Sequence, residues 1–272
     1  MIENPRAPRI RAVAKLAKKA ARSETGLFLV EGPQAVGEAL TWRPELVVDL
    51  FVTPTALERH ATIAAAAAEA TLEPTFVSEA VLDALADTVT PQGVVAVARQ
   101  FPIAVKDILG PGIAPPNLIA ILDEVRDPGN AGTIIRVADA VGADAVIFTG
   151  RSVDPFHPKV VRATTGSLFH VPVAISVDLA EVVAKARASG LQVFAADIAG
   201  DDLLTVRSNE RLAKPTAWLF GNEARGLDDS SRALVDAAVT VPIYGRAESL
   251  NLATAASVCL YESAFAQRAP AG

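Results

Sequence analysis

Three short segments hold most of the side chains in this 272-residue chain that could do chemistry together. The first reads Asp123-Glu124-Val125-Arg126-Asp127-Pro128-Gly129-Asn130-Ala131-Gly132, with Arg136 six residues beyond Asn130. Asn130 suits a helix N-cap, and a guanidinium close to two turns along the same helix could reach the same pocket. The second, Gly221-Asn222-Glu223-Ala224-Arg225-Gly226-Leu227, sets an amide, a carboxylate and a guanidinium between glycines. Such a turn can press backbone amide and carbonyl groups against a flat ligand. The third runs Pro242-Ile243-Tyr244-Gly245-Arg246-Ala247-Glu248-Ser249-Leu250-Asn251-Leu252 into the small residues Ala253-Thr254-Ala255-Ala256-Ser257. Ser249 suits the N-cap of the helix that follows, and Asn251 is a polar group in its first turn. Each segment also reads as an ordinary turn whose charges face water.

All three follow apolar strands. Leu118–Leu122, Ala145–Thr149, Ala217–Phe220 and Ala238–Val241 alternate with helices predicted near 131–141, 158–164, 179–189 and from Ser249 onward. Strands at 171–175 and 191–196 complete the set. This alternation predicts an α/β fold with a mostly parallel sheet covered by helices on both faces, in which ligands sit beyond the carboxyl ends of strands. The first hundred residues read as a smaller α/β unit: a basic helix near 10–22, strands at 27–30, 46–52, 74–77 and 94–98, and helices at 33–40, 55–70 and from Ser78. Pro102, Pro111, Pro115 and Pro116, with Gly110 and Gly112, mark a connection between the halves. The expected organisation is therefore a domain over 1–104, a linker over 105–116 and a second domain over 117–272.

Composition narrows the function classes. Hydrophobic residues make up 51% of the chain, enough for a sizeable core and against wholesale disorder. No apolar run reaches the length of a membrane span, and no signal-peptide core follows the first methionine. One cysteine, Cys259, cannot form an intrachain disulfide, and three scattered histidines do not make a zinc site. No metal is expected. The chain reads as soluble, intracellular and cytoplasmic. Its net charge of −6 argues, as a bulk property, against a polyanionic partner. Residues 1–22, however, carry seven basic groups (Arg6, Arg9, Arg11, Lys15, Lys18, Lys19, Arg22) against Glu3 alone. A basic arm on an acidic body can still serve phosphate contacts.

Taken together, the three segments resemble the motifs of the SpoU (TrmH-like) family of S-adenosylmethionine-dependent RNA ribose 2′-O-methyltransferases, within the SPOUT class. The family's Asn–Gly turn with a helix arginine is matched by Asn130 to Arg136. Its Gly-Asn-Glu-x-x-Gly turn is matched by Gly221 to Gly226, and its Pro-x-x-Gly-x-x-x-Ser-Leu-Asn by Pro242 to Asn251. The stretch Pro158-Lys159-Val160-Val161-Arg162-Ala163 resembles the family's Pro-Lys-x-x-Arg-Ala, with His157 and Thr164 where Asn and Ser are usual. More weakly, Phe28–Gly32 and Gln92–Ala96 resemble the ribosomal-protein-like RNA-binding domain often fused ahead of the catalytic one.

The resemblance implies a C-terminal trefoil knot, a homodimer and an RNA substrate, ribosomal (23S) before transfer RNA. It also implies roles. Thr149, Gly150, Phe220, Gly221, Ile243 and Leu252 would hold S-adenosylmethionine. Asn130 and Arg136 would hold the reacting nucleotide, with Arg162 on a phosphate and Glu223, Ser249 and Asn251 orienting the arrangement. Arg136 is often cast as a general base in this family, yet a guanidinium keeps its proton in proteins and suits a forming alkoxide better. Two rivals compete. An NAD-dependent oxidoreductase lacks its fingerprint here, since Asp127–Gly132 contains no Gly-x-Gly-x-x-Gly. A non-catalytic RNA-binding protein has no reason to keep Arg136, Glu223 and Asn251 in one array.

Overall fold

Two separate sheets organise the chain. The computed structural model describes residues 1–269. In chain order the first hundred residues give α1 (Pro8–Ala14), α2 (Lys19–Thr25), β1 (Leu27–Glu31), α3 (Pro33–Trp42), β2 (Val47–Val52), α4 (Pro54–Arg59), α5 (Ala61–Glu69), β3 (Thr75–Phe76), α6 (Glu79–Leu85) and β4 (Val94–Arg99). The strands order as β1-β4-β2-β3, with β4 antiparallel to both neighbours and β3 parallel to β2. Ile10, Leu29, Phe51, Val81, Leu82 and Val95 close the core beneath this sheet.

Two helices anticipated as continuous are broken. The basic helix expected over 10–22 is α1 and α2, separated by a 3-10 turn at Lys15–Ala17 and an extended Lys18. Arg22 fixes that break from inside. Its guanidinium donates to the carbonyls of Leu16 and Ala17 at 2.9 Å each and to Asp154 Oδ2 at 2.7 and 2.9 Å, and only 1% of the residue is exposed. Arg22 therefore belongs to the core rather than to a basic surface, and Arg9 is paired with Asp49. The helix expected over 55–70 divides at His60, whose φ of −119° and ψ of 63° are not helical.

The second unit opens at Pro102. Ile108 and Leu109, inside the stretch expected to be a linker, are buried in its core. Its first elements are β5 (Leu118–Asp123), α7 (Pro128–Ala140) and β6 (Ala145–Thr149). Residues Asp154–His170, carrying α8 (Pro158–Thr164), group with the first unit. The second unit resumes with β7 (Val173–Ile175), α9 (Leu179–Ala188), β8 (Gln192–Asp202), α10 (Leu203–Ser208), β9 (Thr216–Phe220), α11 (Asp229–Arg232), β10 (Ala237–Thr240) and α12 (Leu252–Arg268). The strands order as β10-β8-β9-β5-β6-β7 and every pairing is parallel. β5, β6 and β9 are buried along their whole length, which is why they read as unbroken apolar runs.

β8 extends well past the expected 191–196 because it meets β10 twice. Ala195 opposes Ala238, and after a bulge Asp201 opposes Val239. Gly200 permits this: a Cβ there would stand 2.3 Å from the Ala238 carbonyl carbon. From β5 the chain moves to β6 and β7 on one side; it then crosses to β8, returns to β9 beside β5, and leaves β9 for β10 at the far edge. The boundary between β5 and β9 is thus a topological switch point, where loops diverge and leave a crevice. No described helix is long and apolar enough to cross a membrane.

Candidate active site

The loops after β5 and β9 meet at this switch point. Asp127, followed by Pro128 at the first helical position, caps α7: its Oδ1 accepts the Asn130 N–H at 2.7 Å. This corrects the expectation that Asn130 is the cap. With the capping done by Asp127, the Asn130 amide, almost wholly buried, is free to bond elsewhere.

It bonds in two directions. Asn130 Nδ2 donates to Glu223 Oε1 at 3.3 Å, and Asn130 Oδ1 accepts from Asn251 Nδ2 at 2.9 Å. Asn251, not Ser249, is the N-cap of the last helix: its Oδ1 accepts the N–H groups of Ala253 and Thr254 at 2.9 and 3.3 Å. Glu223 in turn accepts the backbone N–H groups of Arg126 and Asp127 at 3.1 and 2.9 Å. Burial works to raise the Glu223 pKa, but those two N–H bonds, together with its own backbone N–H and the Asn130 amide, outweigh it and hold the carboxyl below its usual range. A relay therefore runs from the α12 N-terminus through Asn251, Asn130 and Glu223 to the β5–α7 loop. Each amide has only one orientation that satisfies its neighbours.

The turn after β9 is braced from within. Asn222 Oδ1 accepts from the N–H groups of Ala224 and Arg225, while its Nδ2 donates to the Glu124 carbonyl at 2.8 Å. Beneath, Asp123 Oδ1 accepts from Thr149 Oγ1 at 2.8 Å, joining β5 to β6. Burial lifts the Asp123 carboxyl above its ordinary range, against the Thr149 hydrogen bond. Asp123, Asp127 and Asn222 were not singled out by function from the sequence. The Asp-Pro pair at 127–128 was a usable signal, since proline at the first helical position implies a cap just before it.

Two glycines stand at these strand ends, each packed closely by a neighbouring loop. Gly150 has a φ of +61°, and a Cβ there would lie 2.6 Å from Glu124 Oε1. At Gly221 a Cβ would lie 2.8 Å from the Leu227 side chain. Both follow buried strand residues, Thr149 and Phe220, and at each the missing Cβ makes room for the chain's own neighbouring loop.

Residues 117–261 match the SpoU rRNA methylase family, and residues 7–96 match the MRM3-like substrate binding domain. The chain belongs to the SpoU family. A relative from Bacillus subtilis strain 168, a 23S rRNA (guanosine(2553)-2′-O)-methyltransferase, is 32% identical over 96% of this chain and 97% of its own length. The AdoMet-bound rRNA methyltransferase of Sinorhizobium meliloti superposes with a TM-score of 0.80 at 34% identity, covering 96% of both chains. The SpoU methyltransferase AviRb of Streptomyces viridochromogenes, in complex with AdoMet, gives 0.78 at 30% identity over 95% of this chain and 97% of its own.

The other motif residues of this SpoU chain lie outside the relay. Arg136 is exposed on the α7 stripe with Gly129, Thr133 and Ala140, about 120° around the helix from buried Asn130. Six residues is nearly two turns, but the remainder turns the side chain away, so one chain does not bring Arg136 into Asn130's pocket. Among the described residues Arg136 makes no side-chain hydrogen bond or ion pair. Ser249 lies in the segment Tyr244–Asn251, exposed throughout, and Ile243 and Leu252 at its ends are half-buried. Arg162 belongs to the first unit, where it donates to Glu31 Oε1 at 3.1 Å and Asp87 Oδ2 at 2.9 Å. Those carboxylates take up the guanidinium expected to meet a phosphate.

Proposed function

We propose that this chain transfers a methyl group from S-adenosylmethionine to a ribose 2′-hydroxyl of 23S ribosomal RNA. The observation that carries the reading is the Asn251–Asn130–Glu223 relay at the β5–β9 switch point of a SpoU-family fold. A relative named as a 23S rRNA 2′-O-methyltransferase, matched over 96% of this chain, supports the substrate class, and AdoMet-bound neighbours support the cofactor.

Main chain at Thr149–Gly150 and Phe220–Gly221, at the carboxyl ends of the two strands flanking β5, would hold the adenosyl end of the cofactor, with Ile243 and Leu252 closing from the third loop. S-adenosylmethionine supplies there an electrophilic methyl on a sulfonium. The chain's task is to align a hydroxyl with it, an effect worth up to about 7–11 kcal/mol in favourable cases. Asn130, locked by its two neighbours, orients the reacting ribose, while Glu223 and Asn251 hold Asn130. Arg136 stays protonated and stabilises the developing alkoxide or pins the adjoining phosphate, letting the proton leave through phosphate or water.

The functional unit is a homodimer with the trefoil knot of its class. Tyr261 and Phe265 on α12 are 38% and 58% exposed, an apolar face that a second copy would cover, and α12 packs on α7, which carries Arg136. The test is methylation of total RNA, split by size, from a strain lacking the protein, with methyl-labelled cofactor. Label resistant to alkali in the large ribosomal RNA is expected. Label in transfer RNA alone, or on bases rather than ribose, would overturn the assignment.

A further inference from the structure

Glu124 leaves a strand in a conformation that glutamate rarely adopts. Its φ is +55°; the other described non-glycine residues with positive φ, Thr71, Thr165 and Glu210, stand just past the end of a helix, where such a turn is ordinary. Glu124 follows β5 with no helix before it, so its strain needs another cause. The bent backbone is tied on both sides. The Glu124 N–H donates to the Thr149 carbonyl at 3.4 Å, and the Glu124 carbonyl accepts from Asn222 Nδ2 at 2.8 Å. The side chain is thereby turned over Gly150, where the missing Cβ leaves it room.

Arginines of three loops meet this carboxyl. Oε1 accepts the Arg151 N–H of the loop after β6, and Oε2 accepts from Arg126 Nη2 in its own loop. Arg225 Nη2, in the turn after β9, stands 3.9 Å from the same Oε2. These contacts, the Arg151 N–H first, hold the carboxyl below its ordinary range against its partial burial, so it is an anion at neutral pH. The neighbouring acids have donors of their own: Asp127 caps α7, Asp228 caps α11, and Glu223 takes the N–H groups of Arg126 and Asp127. Among the described residues Glu124 is therefore the one carboxylate that pairs with either guanidinium. Both guanidiniums reach solvent, with side chains 50% and 73% exposed.

Two guanidiniums directed at one carboxylate oxygen carry more donors than that oxygen can satisfy. A phosphodiester matches them better, being an anion with two free oxygens, one for each arginine fork. We propose that Arg126 and Arg225 form a seat for a phosphodiester of the RNA substrate, in which the Glu124 carboxylate stands until RNA displaces it. The choice of ligand rests on the RNA-methyltransferase reading. The seat adjoins the relay, because the Arg126 and Asp127 N–H groups are the ones that Glu223 accepts. Without RNA, Glu124 keeps two like charges at one place. With RNA, it competes with the phosphate that replaces it. Removing its charge therefore strengthens RNA binding, the opposite of what loss of a loop tie would do.

The experiment is a titration of the full chain with fluorescein-labelled oligouridylate over a range of salt. S-adenosylmethionine affinity is measured on the same variants. Glu124→Gln should tighten oligouridylate binding by about threefold or more. Glu124→Gly, comfortable at a positive φ, should do the same, and it answers the question if glutamine disturbs the fold. Arg126→Ala and Arg225→Ala should weaken binding, and each should lower the slope of log affinity against log salt by about 0.7. Cofactor affinity should be unchanged throughout. Weaker or unchanged binding in the Glu124 variants would make the residue a loop tie and overturn the proposal, as would slopes indifferent to both arginines. Cofactor affinity lost with either arginine would also overturn it, by assigning the pair to the carboxylate of S-adenosylmethionine. A parent chain that binds oligouridylate in this pattern but never S-adenosylmethionine would defeat the methyltransferase reading and leave the seat standing.

Discussion

Asn251 does two things that one substitution can separate. Its Oδ1 caps α12, and its Nδ2 fixes the Asn130 amide. Asn251→Asp preserves the cap: a carboxylate accepts the Ala253 and Thr254 N–H groups and gains about 0.3–1 kcal/mol from the helix N-terminus. It removes the donor to Asn130, worth about 1 kcal/mol. Net stability should therefore stay within about 1 kcal/mol of the parent. The relay fares worse, because Asn130 Oδ1 now faces an acceptor, and flipping the amide only moves the clash to Glu223. Losing about 1–2 kcal/mol of orientation at the reacting ribose lowers kcat/KM roughly five- to thirtyfold. Asn251→Ala loses cap and donor alike and should cost about 2 kcal/mol of stability as well as the activity. Urea titrations paired with initial rates on ribosomal RNA, both below the unfolding transition, separate the outcomes. An Asp variant within twofold of parental turnover would refute the relay and leave Asn251 a helix cap.

Three further outcomes follow from the same geometry. Because the Glu223 carboxyl is held below its ordinary value, its contribution is complete above about pH 4.3 and disappears as pH falls through the lower folded value. Glu223→Gln should flatten that part of the acid-unfolding curve, and an unchanged curve would count against the two backbone bonds. Cys259 is wholly buried and its thiol is pushed up to about 12, so a thiol reagent at pH 8 should modify it only as fast as the chain unfolds; rapid labelling of the native protein would contradict that burial. Lys15, Lys18 and Lys19 are exposed and unpaired among the described residues. Replacing all three by alanine should lower the slope of log affinity for RNA against log salt by about 2, with an unchanged slope meaning that they do not meet phosphate. Truncating residues 1–22 would not test this, since it also removes Ile10, Val13 and Leu16 from the core.

The parallel sheet was legible because its signal is local and repeated. Leu118–Leu122, Ala145–Thr149 and Ala217–Phe220 are each short, apolar and bounded by turn residues, and each is a buried strand. The same logic placed the three functional loops after strands, where the switch point gathers two of them and the relay ties in the third. The boundaries failed where a distant side chain decided them. Nothing within 10–22 marks a break at Lys18, because the group that stabilises it, Arg22, is itself anchored by Asp154, 132 residues away.

Side-chain assignment obeys the same division. Ser249 and Asn251 are both acceptable caps by type, and so are Asp127 and Asn130; composition cannot choose within either pair. The choice is made by what remains afterwards. If Ser249 and Asn130 were the caps, Asn130 could not give both ends of its amide to partners, and Glu223 would lose a donor. With Asp127 and Asn251 as caps, both ends of the Asn130 and Asn251 amides and both oxygens of Glu223 have partners. The arginines show the converse. Arg136 and Arg162 sit in correct motif positions, but a motif fixes chain spacing and not the direction of a helix face or the company a guanidinium keeps. Arg136 therefore faces solvent, on a helix packed against the one bearing Tyr261 and Phe265. A second copy covering that surface would change Arg136's surroundings and leave the relay untouched. Arg136 and Asn130 should consequently respond differently to dilution: activity that depends on Arg136 falls as a dimer dissociates, while the relay's contribution to stability does not.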